Sequence, residues 1–308
     1  MGIDLKTFYF SLITIAIIVI LGYILGKLHF IGKDTNRDVV NLLLSVFMPA
    51  ALLSAFPSTY SKDSLSLFSQ GFISGFLVML VMILVSRIIF SKHIFKGELG
   101  YEAKFAFVFN NATFLGYPLI STAFGQAGII PYCGFIVAFN IALFSYGVWL
   151  FERKITPKFF KELILNPNII AVALGAVLFL AQIELPDPIR NAVSYVASAT
   201  TPLSLICIGY MLSRAHLKAV LKKWRLAIIA ILQLVLAPVI TYLITSALRF
   251  PTEVVLICTL IQALPTATSL GLFAEKYGGN QSESSELVVI STLLSAISLP
   301  IIVLIFFG

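Results

Sequence analysis

Polar and helix-breaking residues interrupt an otherwise apolar run at Asn110-Asn111-Ala112-Thr113-Phe114-Leu115-Gly116-Tyr117-Pro118. A second interruption, Leu264-Pro265-Thr266-Ala267-Thr268-Ser269-Leu270-Gly271, follows about 155 residues later. Ala112 to Gly116 matches Ala267 to Gly271, which sets Asn110 opposite Pro265. In apolar surroundings a broken helix leaves backbone N–H and C=O groups that protein, water or ligand must satisfy. Pro265 removes one donor and disfavours helical geometry at Leu264, and Thr266 is placed to cap a new half-helix from near Ala267. Asn111 is a good N-cap for a half-helix from Ala112. Each start offers unpaired N–H groups and roughly half a positive elementary charge, a combination that holds a carboxylate without an arginine. The candidate binding residues are Asn110, Asn111, Thr113, Gln262, Pro265, Thr266, Thr268 and Ser269. Gly116 and Gly271 permit close approach of crossing helices, and Pro49 and Pro202 kink their helices as candidate walls of the site. Taken singly, these polar residues also fit ordinary interhelical hydrogen bonds; their recurrence in two places favours a site.

The elements that position them follow from composition. The chain of 308 residues is 59% hydrophobic and only 11% charged, against about 25% charged in an ordinary soluble domain. Apolar runs bounded by charged or Pro/Gly-rich breaks fall near 8–26, 38–56, 67–90, 102–125, 129–151, 164–183, 189–213, 225–248, 252–276 and 284–307. The first is too long for a signal-peptide core of about 7 to 15 residues. The fold class expected is an all-α polytopic membrane protein of ten transmembrane helices. Of its 21 Lys and Arg, all but Lys6, Lys62, Arg190 and Arg249 fall after the odd-numbered helices. Basic loops stay cytoplasmic, so both termini are expected outside a cell membrane.

Because five is odd, residues 1–151 and 164–308 form two inverted five-helix repeats joined by a short cytoplasmic linker, 152–163. Pro49 and Pro202 correspond at an offset of 153, and helices 4 and 9 are the broken crossover helices. Inverted repeats with discontinuous helices are a transporter architecture, with the site near the midplane.

Absences narrow the chemistry. No Asp, Glu, Lys, Arg or His stands in the central part of any predicted span, which disfavours proton coupling through a buried carboxylate. Glu102, Lys104, Glu275 and Lys276 lie near helix ends, where snorkelling to the interface is expected. Cys133, Cys207 and Cys258 are isolated in apolar runs, and His29, His93 and His216 fall in predicted loops, so no metal or other cofactor is expected. No nucleophile, base and orienting group converge, so the chain is not expected to be an enzyme. The net charge of +7 is spread over loops and does not mark a nucleic-acid surface; the bilayer and a small carboxylate are the expected partners.

Two segments, NATFLGYPL at 111–119 and QALPTATSLGLFAEKY at 262–277, with STLLSAISLP in the last span, resemble the auxin efflux carrier family, and the likeness extends over nearly the whole chain. The resemblance implies a homodimer through helices 1, 2, 6 and 7, and a transport unit of helices 3 to 5 and 8 to 10 that shifts in an elevator motion. It also implies a substrate carboxylate where helices 4 and 9 cross, with Asn111 and Pro265 as the family's crossover asparagine and proline. Plant members carry proline where this chain has Asn110, and often a long insert where it has 152–162. Auxin is therefore not carried over as substrate; small organic anions such as malate or malonate are, most simply moved outward. Two other functions stay open. One is a sodium-coupled organic-anion symporter like the bile-acid carriers, and the other a membrane sensor that binds the ligand without moving it.

Overall fold

The computed structural model describes residues 5–56, 61–91, 100–152, 161, 164–215, 223–277 and 279–307. Among these, apart from one isolated bridge, every regular element is helical. In chain order these are α1 (Leu5–Lys27), α2 (Lys33–Ser54), α3 (Lys62–Ile89), α4 (Gly100–Val108), α5 (112–124) and α6 (Ala127–Glu152). The remainder are α7 (Pro167–Leu180), α8 (Asp187–Arg214), α9 (Trp224–Ala247), α10 (Thr252–Gln262), α11 (Ser269–Tyr277) and α12 (Gln281–Phe307). Seven of them (α1, α2, α3, α6, α8, α9 and α12) are long and apolar enough to cross a membrane, while α7 and α10 are shorter apolar helices. Predicted helix 4 comprises α4 and α5, and predicted helix 9 comprises α10 and α11.

Helices 2 and 3 start at Lys33 and Lys62, before the residues at which their apolar runs begin. Polar first turns explain the difference. Ser61 accepts the N–H groups of Asp63 and Ser64, and Asp34 and Asp63 sit at the positive helix starts. Helix 6 is shorter than expected because Asn166 caps it at Pro167, accepting from Asn168 N (2.9 Å) and Ile169 N (3.3 Å). A left-handed Gly125 (φ 56°) makes the turn between α5 and α6. Most of the expected linker, 152–163, lies outside the described residues, as do His93 and His216.

The helices pack in two groups. α1 lies along α8, and α2 against α7 and α8; α3 lies along α6, and α9 against α10 and α12. The contact between α3 and α6 depends on glycine: a Cβ on Gly134 would strike the carbonyl oxygen of Phe68, and one on Gly71 the backbone of Pro131. Gly134→Val should cost about 1 to 3 kcal/mol by overpacking, read as a lower melting temperature of the detergent-solubilised protein.

Local structure recurs at fixed separations. α1 ends at left-handed His29 and α7 at left-handed Gln182. Phe30 N donates to Leu25 O (3.0 Å), as Ile183 N does to Leu178 O (2.9 Å). Each of these residues lies 153 positions from its counterpart. Between α2 and α8, Thr200 Oγ1 donates to Phe47 O (2.9 Å), again across 153 residues; the acceptor belongs to a π-turn, Leu43–Phe47, that precedes Pro49.

Glu102 does not snorkel. It is buried in the first turn of α4 and accepts the Asn280 N–H (2.9 Å), tying α4 to the turn before α12. The side chains of Glu275 and Lys276 lie outside the described residues.

Candidate functional site

The two breaks meet. Asn110 and Thr266 form an antiparallel bridge, in which Asn111 N donates to Pro265 O (2.6 Å) and Ala267 N to Phe109 O (2.9 Å). Pro265, having no N–H, takes part through its carbonyl. The pairing sets Asn110 opposite Thr266, one residue on from the partner that aligning the two motifs gives it. Much of the backbone expected to be unpaired is therefore satisfied by the other break.

Asn111 takes a non-helical conformation (φ −79°, ψ 52°), and its Oδ1 accepts the Phe114 N–H (3.2 Å), so it caps α5. The first turn, Ala112–Gly116, is π-helical, and Leu115 N and Gly116 N both donate to Asn111 O (3.2 and 3.0 Å). Thr266 does not cap. α11 begins at Ser269, Thr266 N donates to Ser291 Oγ (3.1 Å), and the Thr266 hydroxyl is buried without a hydrogen-bond partner. With Pro265 and the bridge holding 265–267 extended, the chain turns helical two residues later than expected.

Asn110, Asn111, Gln262 and Thr266 are each no more than 2% exposed, and Pro265 is buried with them. Thr113 and Ser269, on the first turns of the two half-helices, and Thr268, just before the second, are half-buried. Gly116 comes close to Leu264, as expected of the crossing, whereas Gly271 approaches Ser285 of α12 instead. Pro49 is half-buried in α2, and Pro202 is exposed on α8.

Three residues from neighbouring helices complete the crossing and escaped the sequence reading. Gln233 of α9 is fully buried and donates through Nε2 to Leu264 O (2.7 Å) and Gln262 O (3.5 Å). Tyr132 of α6 donates to Ala112 O (2.8 Å), and Ser291 of α12 receives Thr266 N as above. Gln233 is a lone polar residue within an apolar run, a signal that marks a buried contact without saying with what.

Several polar atoms here are buried without a hydrogen-bond partner: both amide atoms of Asn110, Asn111 Nδ2, Gln233 Oε1, Gln262 Nε2 and Thr266 Oγ1. Such groups are rare because each costs about 1 to 3 kcal/mol. Among the described residues no group of three or more His, Cys, Asp or Glu is placed to hold a metal ion. The cluster is made of neutral amides and a hydroxyl, with donors in the majority, in and beside the two breaks from which α5 and α11 start. It can hold a small anion by hydrogen bonds and helix-start potential.

A family described as "Membrane transport protein" matches residues 7–154 and again 151–303. A protein of Rhizobium meliloti named "Putative malonate transporter" is 26% identical over 201 residues, 62% of each chain; the match thus spans just under two thirds of that relative's length. A protein of Methanothermobacter thermautotrophicus named "Uncharacterized transporter" is 23% identical over 300 residues, 94% of this chain and 96% of its own. These are the names of membrane transporters rather than of enzymes.

Proposed function

The chain belongs to this membrane transport protein family, the auxin efflux carrier family, and from that premise we propose that it is a secondary transporter of small organic anions, holding the substrate carboxylate at the crossing. It is a multi-pass membrane protein by family and by its apolar helices. The observation that carries the proposal is the set of buried, unpartnered donors Asn110 Nδ2, Asn111 Nδ2, Gln262 Nε2 and Thr266 Oγ1, in or beside the two breaks that pair at the crossing. Thr113, Thr268 and Ser269, in or just before the first turns, line the approach in this reading, with Pro49 and Pro202 as its proposed walls. The name of the Rhizobium meliloti relative makes malonate the first compound to try.

In this proposal ten spans form two inverted repeats, 1–151 and 164–308, about the linker 152–163, with both termini outside the cell membrane. The recurring offset of 153 in the helix ends at His29 and Gln182 and in the Phe47 to Thr200 contact supports the repeat, as does the twofold family match. The split in packing supports a scaffold of α1, α2, α7 and α8 and a transport unit of the other helices, moving against it as an elevator. Exposed apolar residues on the scaffold, among them Ile13, Ile17 and Ile20 of α1 and Ile170, Leu174 and Val177 of α7, suit lipid or a second copy of the chain. Movement outward, driven by the membrane potential, is the direction proposed.

A second function has its own support, since Asn110 Oδ1, Gln233 Oε1 and Thr266 Oγ1 are neutral oxygens of the kind that coordinate sodium. One experiment separates the two. Liposomes containing the purified protein and loaded with malonate should take up labelled malonate by counterflow in sodium-free potassium medium, above protein-free liposomes. Flux that appears only with sodium replaces the carrier by a symporter. No flux of any mono- or dicarboxylate, with no thermal stabilisation by them, refutes the anion site; stabilisation without flux points to a sensor.

A further inference from the structure

Two amides at the crossing have orientations fixed by their own hydrogen bonds, and they expose opposite ends. Asn111 Oδ1 is engaged by the Phe114 N–H (3.2 Å), so the unpartnered atom, Nδ2, is a donor. Gln233 Nε2 lies 2.7 Å from Leu264 O; a carbonyl accepts only from a donor, so the amide cannot be turned round, and the unpartnered Oε1 is an acceptor. Both side chains are at least nine-tenths buried, and one short path joins them: Gln233 holds Leu264 O, and the next carbonyl, Pro265 O, receives Asn111 N (2.6 Å).

A bare carboxylate offers only acceptors: it pairs with a donor such as Asn111 Nδ2 but leaves the acceptors Gln233 Oε1 and Asn110 Oδ1 without a donor, or sets oxygen against oxygen. Resting on the carboxylate assignment above, we infer that the ligand also carries an O–H donor: the crossing takes a hydroxy acid or a half-protonated dicarboxylic acid. Asn111 Nδ2 holds the carboxylate and Gln233 Oε1 accepts from the O–H. An ammonium group is the poorer donor here, because its charge would meet no carboxylate among the residues named at the crossing. Gln233 is thereby a specificity-determining residue on a helix outside the two broken ones.

The test compares compounds that differ by one hydroxyl. In sodium-free proteoliposomes, lactate is set against propionate and glycolate against acetate. Each hydroxy acid should show a half-saturating concentration about ten- to a hundredfold lower than its parent, the size expected when a buried acceptor is left unpaired. Gln233→Leu should bring both ratios towards one. Equal handling of the pairs by the wild-type protein overturns the donor requirement and leaves the carboxylate site standing; where malonate is carried and both hydroxy acids are refused, equal handling of malonate and its monomethyl ester, which has no second O–H, does the same. A preference that survives in folded Gln233→Leu overturns the role of Gln233, and if that variant does not fold, the wild-type ratios decide. Failure of every carboxylate to move or to stabilise the protein removes the site itself, and the inference with it.

Discussion

Asn111→Ala should lower counterflow of a carried carboxylate by about ten- to a hundredfold, the range that losing a hydrogen bond to a charged group implies. The substitution removes two things at once. The Phe114 N–H loses its cap, at a cost of about 1 kcal/mol, and the site loses the Nδ2 donor. Asn111→Asp separates them. Its carboxylate still caps α5, and the positive helix start favours it, but it presents no N–H to an anion. The aspartate variant should therefore keep a melting temperature near that of the wild type and remain as inactive as the alanine variant. Recovery of flux in Asn111→Asp would reduce Asn111 to a cap.

The second large effect is expected at Pro265. Interior proline costs a helix about 3 kcal/mol, and this cost helps keep α10 and α11 apart. Pro265→Ala restores an N–H and removes the penalty, so the segment 263–268 gains a helical alternative that competes with the bridge to Asn110. Flux should fall about tenfold or more while the melting temperature stays level or rises, a trade of activity for stability that a strained site produces. A clear drop in melting temperature would instead make the proline ring a packing element of the crossing.

Both breaks were legible in the sequence because proline and paired asparagines in an apolar run contradict a continuous helix. The cap by Asn111 was legible too, since capping is set by residues close in sequence. Three features were not, each for a physical reason. The partner of Asn110 is Thr266, although matching the motifs gives Pro265, because bridge register depends on which backbone groups can donate. The displaced start of α11 follows from that bridge, which no local rule contains. Gln233 was legible as an isolated polar residue but not as the one bound to Leu264 O, since only the packing of α9 against α10 brings them together. Glu102 failed in the other direction. A carboxylate near a helix end reads as interfacial, and only the fold reveals that the Asn280 N–H holds it inside.

The joint between the breaks is made of main-chain atoms, Asn111 N to Pro265 O and Ala267 N to Phe109 O. A substitution that keeps the backbone path leaves both bonds in place, whatever side chain it brings to the crossing. Diversification of the Asn110 and Gln262 side chains is thus decoupled from these two main-chain bonds. A lineage can exchange the side chains of Asn110 or Gln262 for other polar groups while inheriting the same main-chain frame.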